Sequence, residues 1–323
     1  MQTPYLIDQD MISGKCPERP ESGHKGTFGR VLICAGTPGM GGACCMAASS
    51  ALRSGAGLVY VHTAEELLTP LLIHCPEALG LVYKELVNKA VPAAAAPAVA
   101  ATAVMRLPVM PEANSYEKYF SEQIQGKDAV LIGPGIPPES EKLGIMIRIA
   151  AQLAPHLVLD AGALSYLALH EDVMQEVSAR VSGGLAPAVL TPHVGEFARL
   201  APGIPGGDLE KTSAFAVEQG ITLVLKSNET HIFTSDGKWY SNPVSNSGLA
   251  KGGSGDVLAG LLTGLLAQGM TEEDASICAV GIHSLAGKLC AAEHGTRAML
   301  PTMLSGYYGK VFKTLGWEEG MQK

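Results

Sequence analysis

The 323-residue chain has 47% hydrophobic and 17% charged residues with 38 glycines and six phenylalanines, which excludes a disordered polypeptide and suits an Ala/Gly/Leu-rich α/β protein. A formal net charge of −8 argues against a general nucleic-acid or anionic-membrane binder, because such proteins carry a basic field. The seven cysteines include no C-x-x-C pair, so neither a disulfide frame nor a zinc site is expected; all read as small buried hydrophobes in a reducing cytoplasm.

In chain order, "MQTPYLIDQDM" lacks a basic segment followed by an apolar core, so no secretory signal is expected, and residues 1–23 read as an N-terminal extension. The apolar run 30–35 predicts a buried strand that ends in the glycine-rich turn "GTPGMGGA". Small residues over 43–54 predict a helix packed close to the sheet, and "GAGLVYVHT" a second strand, completing a βαβ unit. The segment at about 88–115 is rich in alanine and proline and reads as an irregular insertion. Its run 90–105 is the longest weakly polar stretch; prolines break it and it is too short to span a bilayer.

Further strand-like runs, "DAVLIGPG", "HLVLDAGAL", "AVLTPHVGE" and "ITLVLKS", each end in glycine, acid or base, with helical patterns between most of them. Short apolar strands alternating with helices predict a mostly parallel sheet covered on both faces, with ligands beyond the carboxyl ends of its strands. The alternation in "HIFTSDGKWYSN", with Asp236-Gly237 at its centre, predicts a hairpin after Lys226. No internal repeat or linker stands out, so one domain over 1–323 is expected.

The last informative stretch is "NSGLAKGGSGDVLAGLLTGLLAQG". Val257, Leu258, Leu261, Leu262, Leu265 and Leu266 form a helical stripe stopped by Gly269, so the glycines precede a helix N-terminus. Free amides there suit a phosphate or oxyanion. Asp256 then has two open readings: a helix N-cap, or a base that takes a proton from a substrate hydroxyl while the amides stabilise a transferred phosphoryl group. Neither "GTPGMGGA" nor "KGGSGD" has the Lys-Ser/Thr ending of a P-loop, and the first also fails the G-x-G-x-x-G spacing.

"HKGTFGRVLICAG", "GMGGACCMAASSALRSGAGLV", "IGPG", "LTPHVGE", "LKSNETHIF" and "NSGLAKGGSGDVLAGLLTGLLAQG", in that order, closely resemble the ADP-dependent (S)-NAD(P)H-hydrate dehydratases, relatives of the ribokinase-like small-molecule kinases. The resemblance runs roughly from His24 to Leu315. It implies a ribokinase-like α/β fold and an enzyme that uses ADP, with Mg²⁺ on the phosphates, to restore hydrated NADH and NADPH, releasing AMP and phosphate. It further implies a homo-oligomer, a tetramer in similar proteins, and a separate epimerase as functional partner.

Residue by residue, the resemblance makes Asp256 the catalytic base and a substrate contact, with Ala43, Gly135 and His193 lining the hydrate site. Lys226, Ser227, Asn228, Glu229 and Thr230 fall on the nucleotide segment K-G-A-G-T, of which only the Lys and Thr are kept, and Gly255 lies against the nucleotide. Without it, 226–230 would read as a strand end entering a hairpin, and His193 and Glu196 as a structural histidine and a helix-start carboxylate. The resemblance leaves the metal ligands unknown. Where the family shows D-A-D-A-L-N this chain has "DAGALS", with Gly162 for an acid and Ser165 for an amide, and Ser247 replaces a proline. Rival readings are a ribokinase-like kinase of a vitamin precursor or sugar, against which the absent Asp-Thr before "GGSGD" counts, and a non-catalytic nucleotide sensor.

Overall fold

The computed structural model describes residues 3–82, 115–205 and 207–318, so nearly all of the alanine/proline segment at 88–115 lies outside the described residues. Ten strands form one sheet: β1 (Tyr5–Leu6), β2 (Arg30–Cys34), β3 (Leu58–His62), β4 (Leu79–Leu81), β5 (Ala129–Ile132), β6 (His156–Leu159), β7 (Val189–Leu190), β8 (Thr222–Leu225), β9 (Thr230–Phe233) and β10 (Trp239–Asn242). Their order is β1-β10-β9-β8-β7-β6-β5-β2-β3-β4. β9 alone runs against its neighbours, so the sheet is mostly parallel, as the strand pattern predicts. The β9–β10 hairpin turns where the Asp236-Gly237 signal predicts, with Gly237 at φ 87°.

Both faces of the sheet are covered. Along β2, Val31 and Ile33 enter one hydrophobic core while Leu32 and Cys34 enter the other; β5 divides Ala129 and Leu131 from Val130 and Ile132 in the same way. That period of two, with no polar face left over, is why these strands read as continuous apolar runs. From β2 the chain first builds outward through β3 and β4, then returns to lay β5 on the other side of β2. The order reverses between β2 and β5, and the gap beyond their carboxyl ends is where sheets of this kind place ligands.

The leucine-striped segment is a helix, Ser254–Ala267, but burial extends past the stripe: Ala259, Gly260, Thr263 and Gly264 are buried as well. The helix lies between the sheet and two others, Gly41–Arg53 and Glu272–His294. The contact with the first is close. A Cβ on Gly260 would stand 2.2 Å from the Ala47 carbonyl oxygen, and one on Gly264 3.0 Å from that of Ala51. Ala47, Ala48 and Ala51 complete this small-residue seam. The 23-residue Glu272–His294 helix is long and apolar enough to cross a bilayer by length and composition, which the longest run noted in the sequence is not; 72% of its most apolar window is buried within the fold.

Since a backbone oxygen opposes Gly260, no side-chain rotation can relieve a methyl there. Gly260→Ala is expected to destabilise the protein by about 1–3 kcal/mol, the usual range for overpacking, read from the urea unfolding midpoint with an unchanged slope.

Candidate active site

The carboxyl ends of β2, β5, β6, β7 and β8 deliver the residues singled out in the sequence to one rim. Beyond β2 and β5, the amide of Gly36 donates to the Pro134 carbonyl at 2.8 Å and the Thr37 hydroxyl to the Gly135 carbonyl at 2.8 Å. Gly135, with φ 65°, sits so near the 41–53 helix that a Cβ on it would be 2.8 Å from the Ala43 methyl and 2.8 Å from the Met40 oxygen. Two residues expected to line the hydrate site, 92 positions apart, therefore touch across the strand-order reversal.

Next along the rim, Asp160 follows β6 and is buried. Its Oδ1 accepts from the Thr191 hydroxyl at 2.8 Å and from the Lys226 ammonium at 2.8 Å. The Asp160 carboxylate buried without a counter-charge would cost several kcal/mol, so pairing with Lys226 holds both groups in place. Sequence reading placed Lys226 on the nucleotide segment but missed Asp160 and Thr191 as its partners. The available signal was an acid directly after the run that forms β6 and a hydroxyl directly after the one that forms β7. Ala161, at φ 50° and ψ −112°, is the only described non-glycine residue with positive φ, a strained conformation held beside the pair.

Ser227, Asn228 and Glu229 form the corner between β8 and β9, and Thr230 opens β9 opposite Asn242. The Ser227 hydroxyl donates to the Glu229 carbonyl, and the Glu229 carboxylate accepts from Ser241. The Ser227 and Glu229 side chains are thus tied into the hairpin, and Ser227 and Asn228 are the exposed residues of the corner. His193 begins the Val194–Leu200 helix: its Nδ1 accepts from the amides of Gly195 and Glu196 at 3.0 and 3.3 Å, and Glu196 Oε2 accepts from the His193 amide at 2.9 Å. This reciprocal cap is a structural role. It also assigns Nδ1 as an acceptor; Nε2 lies 3.6 Å from Glu196 Oε2, and the ring, 57% exposed, still presents a surface to a ligand.

The helix that closes the site starts at Gly253, in the left-handed region with φ 100°, and Asp256 lies in its first turn. The N-cap position belongs to Gly253, so the capping reading of Asp256 is wrong. Among the described residues, no hydrogen bond uses the amides of Gly252, Gly253, Gly255 or Asp256, as expected of the orphan donors of a helix start. A Cβ on Gly255 would lie 3.1 Å from Lys226 Nζ and 3.8 Å from Asp160 Oδ2. Amides and an ammonium thus share one small volume, a cradle for a phosphoryl group. Behind it, the Ser254 hydroxyl meets Nε2 of the buried His283 at 3.2 Å. Burial, aided by the charge of Lys226, pushes His283 down to about 4, so its ring is neutral at pH 7. Sequence reading missed this pair.

Burial raises Asp256, the Asp160 carboxylate raises it further, Lys226 pulls it back and Glu196 adds a little, leaving it at about 6. A carboxylate poised there is ionised at pH 7 yet basic enough to receive a proton. No three His, Cys, Asp or Glu side chains among the described residues cluster as a metal cage, and Asp160 is already engaged. That donor set fits Mg²⁺ held mainly by nucleotide phosphates with one or two carboxylates nearby.

A mostly parallel sheet with unpaired helix-start amides, a fixed ammonium and a half-buried carboxylate at its carboxyl edge is an arrangement suited to nucleotide-dependent chemistry, and the fold is ribokinase-like. Residues 31–309 match the model of the NAD(P)H-hydrate dehydratase family. The chain is 30% identical over 323 residues to the ADP-dependent (S)-NAD(P)H-hydrate dehydratase of Bacillus subtilis, covering 97% of this chain and 99% of that one. It is 33% identical over 314 residues to the bifunctional NAD(P)H-hydrate repair enzyme Nnr of Moorella thermoacetica, covering 96% of this chain and 54% of the relative, so it spans about half the length of that bifunctional protein. The crystal structure of the ADP/ATP-dependent NAD(P)H-hydrate dehydratase from B. subtilis, co-crystallised with ATP/Mg²⁺, superposes with a TM-score of 0.73 at 28% identity, covering 98% of this chain and 99% of that one. The chain belongs to the NAD(P)H-hydrate dehydratase family.

The raised Asp256 carboxyl has a consequence for stability. Its folded pKa lies above the unfolded value of 3.8, so ionising it costs folding free energy as pH rises from about 4 to about 6, and the cost persists above. Asp256→Asn is expected to be more stable than the parent at pH 8 by about 1–3 kcal/mol and to lose that advantage at pH 4, measured by thermal unfolding at both pH values.

Proposed function

We propose that this protein restores damaged nicotinamide cofactors: it dehydrates (S)-NADH hydrate and (S)-NADPH hydrate using ADP, yielding NADH or NADPH, AMP and phosphate. The observation that carries the reading is the Asp256 carboxylate, tuned to about 6, in the first turn of the helix whose amides and nearby Lys226 form an anion cradle. ADP enters over the β8–β9 corner, with Lys226, the 227–230 backbone and Gly255 around its phosphates. The hydrated ring lies against Ala43 and Gly135, whose small size admits a flat substrate, with the His193 ring edge beside it.

Hydroxide is a poor leaving group. Asp256 takes the proton of the ring hydroxyl as its oxygen attacks the terminal phosphoryl of ADP; the bond to the departing AMP oxygen breaks, and a phosphate ester forms. The ring nitrogen lone pair then expels phosphate, and loss of a proton from the neighbouring ring carbon restores the double bond. Lys226 and the amides of Gly255 and Asp256 hold the charge that builds on the phosphoryl oxygens. Mg²⁺, when bound, neutralises phosphate charge. The reading includes a homo-oligomer, a tetramer, in the cytoplasm, and an epimerase that supplies the (S) epimer as functional partner.

Incubating either hydrate with the protein, Mg²⁺ and ADP should restore the near-ultraviolet absorbance of the reduced ring, with AMP and phosphate formed in step. Absence of recovery with ADP or ATP would defeat the reading, and a stable phosphorylated alcohol would point to a kinase. The value of kcat/KM should rise with pH through about 6 to a plateau, because only ionised Asp256 accepts the proton. Asp256→Asn should lower kcat by about 10²–10⁴-fold.

A further inference from the structure

One face of the 41–53 helix, from Gly41 and Gly42 through Cys45 and Ser49 to Arg53, lines a cavity of about 760 Å³. Its near end adjoins the Gly253–Asp256 turn of the proposed site: Met46 and Pro301, both on the lining, would stand 2.4 and 3.5 Å from a Cβ on Gly253. Its far end carries Arg53, and His74 also lines the cavity. Twelve residues of helix rise separate the two ends, about 18 Å, a reach comparable to that between the nicotinamide and the adenosine ribose of an extended dinucleotide. Asp160, Lys226 and Thr230 are absent from this lining, which leaves the β8–β9 corner to ADP.

Arg53 is exposed and makes no ion pair among the described residues. With Ser305 and Gly306 it also borders a larger cavity of about 920 Å³, which lies against Cys16–Glu21 and Trp317 and includes no residue of the Gly253–Asp256 turn. The charge of Arg53 nevertheless acts toward the smaller cavity: it opposes the rise that burial, Cys45 and Glu77 impose on the Cys75 thiol, and Cys75 lines only the smaller one.

We propose that this cavity receives the adenosine end of the hydrated dinucleotide and that Arg53, with His74 on the same lining, binds the ribose 2′-phosphate that distinguishes NADPH hydrate from NADH hydrate. The inference rests on the dehydratase reading for its substrate. A guanidinium presents paired donors to a phosphate dianion, which lysine matches only in charge. Glu77 is the acidic group acting on the same Cys75 region, and Arg53 offsets it.

Both hydrates should be assayed with the parent protein, Arg53→Gln and Arg53→Lys. Arg53→Gln is expected to lower kcat/KM for the NADPH hydrate about tenfold more than for the NADH hydrate, with the difference carried by KM, and Arg53→Lys to fall between. Cys45 provides a readout independent of turnover. It lines the cavity, and the Cys44 side chain holds its thiol down at about 7, so iodoacetamide should alkylate it at pH 7.5. NADPH should slow that alkylation, followed by peptide mass mapping, and a higher NADPH concentration should be needed in Arg53→Gln. Equal losses for the two hydrates, or Cys45 alkylation that NADPH leaves unchanged, would overturn the proposal. If the parent turned over neither hydrate while NADPH still protected Cys45 in an Arg53-dependent way, the dehydratase reading would fall and the phosphate site would stand.

Discussion

The arrangement depends on how closely two helices can approach. The 254–267 helix carries the amides and the Asp256 carboxylate, while the 41–53 helix carries Ala43 and one wall of the cavity, and Gly260 and Gly264 bring them together against Ala47 and Ala51. A bulkier seam would move Asp256 relative to Ala43, the base and the ring contact of the proposed mechanism, by an appreciable fraction of a hydrogen-bond length. Positioning to that tolerance is much of what an active site contributes to rate. The seam thus belongs to the chemistry as much as to the core.

Electrostatics then divides labour among three carboxylates on one rim. Asp160 is buried and engaged by Lys226 and Thr191, which pins the ammonium beside Gly255. Asp256, close enough to feel that ion pair but not part of it, is lifted toward neutrality. Glu196 closes the cap with His193. A free lysine would lower Asp256 and weaken it as a base, whereas one already partnered supplies phosphoryl binding at less cost to basicity.

Much of this was legible in the sequence because it is local. The apolar runs ending in Gly-Pro-Gly or Thr-Pro-His announce parallel strands, and the glycines before the leucine stripe announce a helix start with free amides. The Asp160–Lys226 pair was not legible, since its members are 66 residues apart and meet only through the order of β6, β7 and β8. The Ser254–His283 contact is hidden for the same reason. The stripe understated the 254–267 helix: periodicity marks large side chains, and here the opposite face is buried by being small. The capping reading of Asp256 failed because only backbone dihedrals show Gly253 to be the first non-helical residue.

The "DAGALS" departure acquires a physical meaning in the fold. A Cβ on Gly162 would stand 1.8 Å from the carbonyl oxygen of Ile136 and 3.3 Å from that of Gly133. The loop after β5, which carries Gly135, has settled into the room that a side chain at 162 would need. Restoring the acid common in similar proteins would therefore require the loop to withdraw first. A side chain grafted at 162 with that loop left in place should meet a closed door.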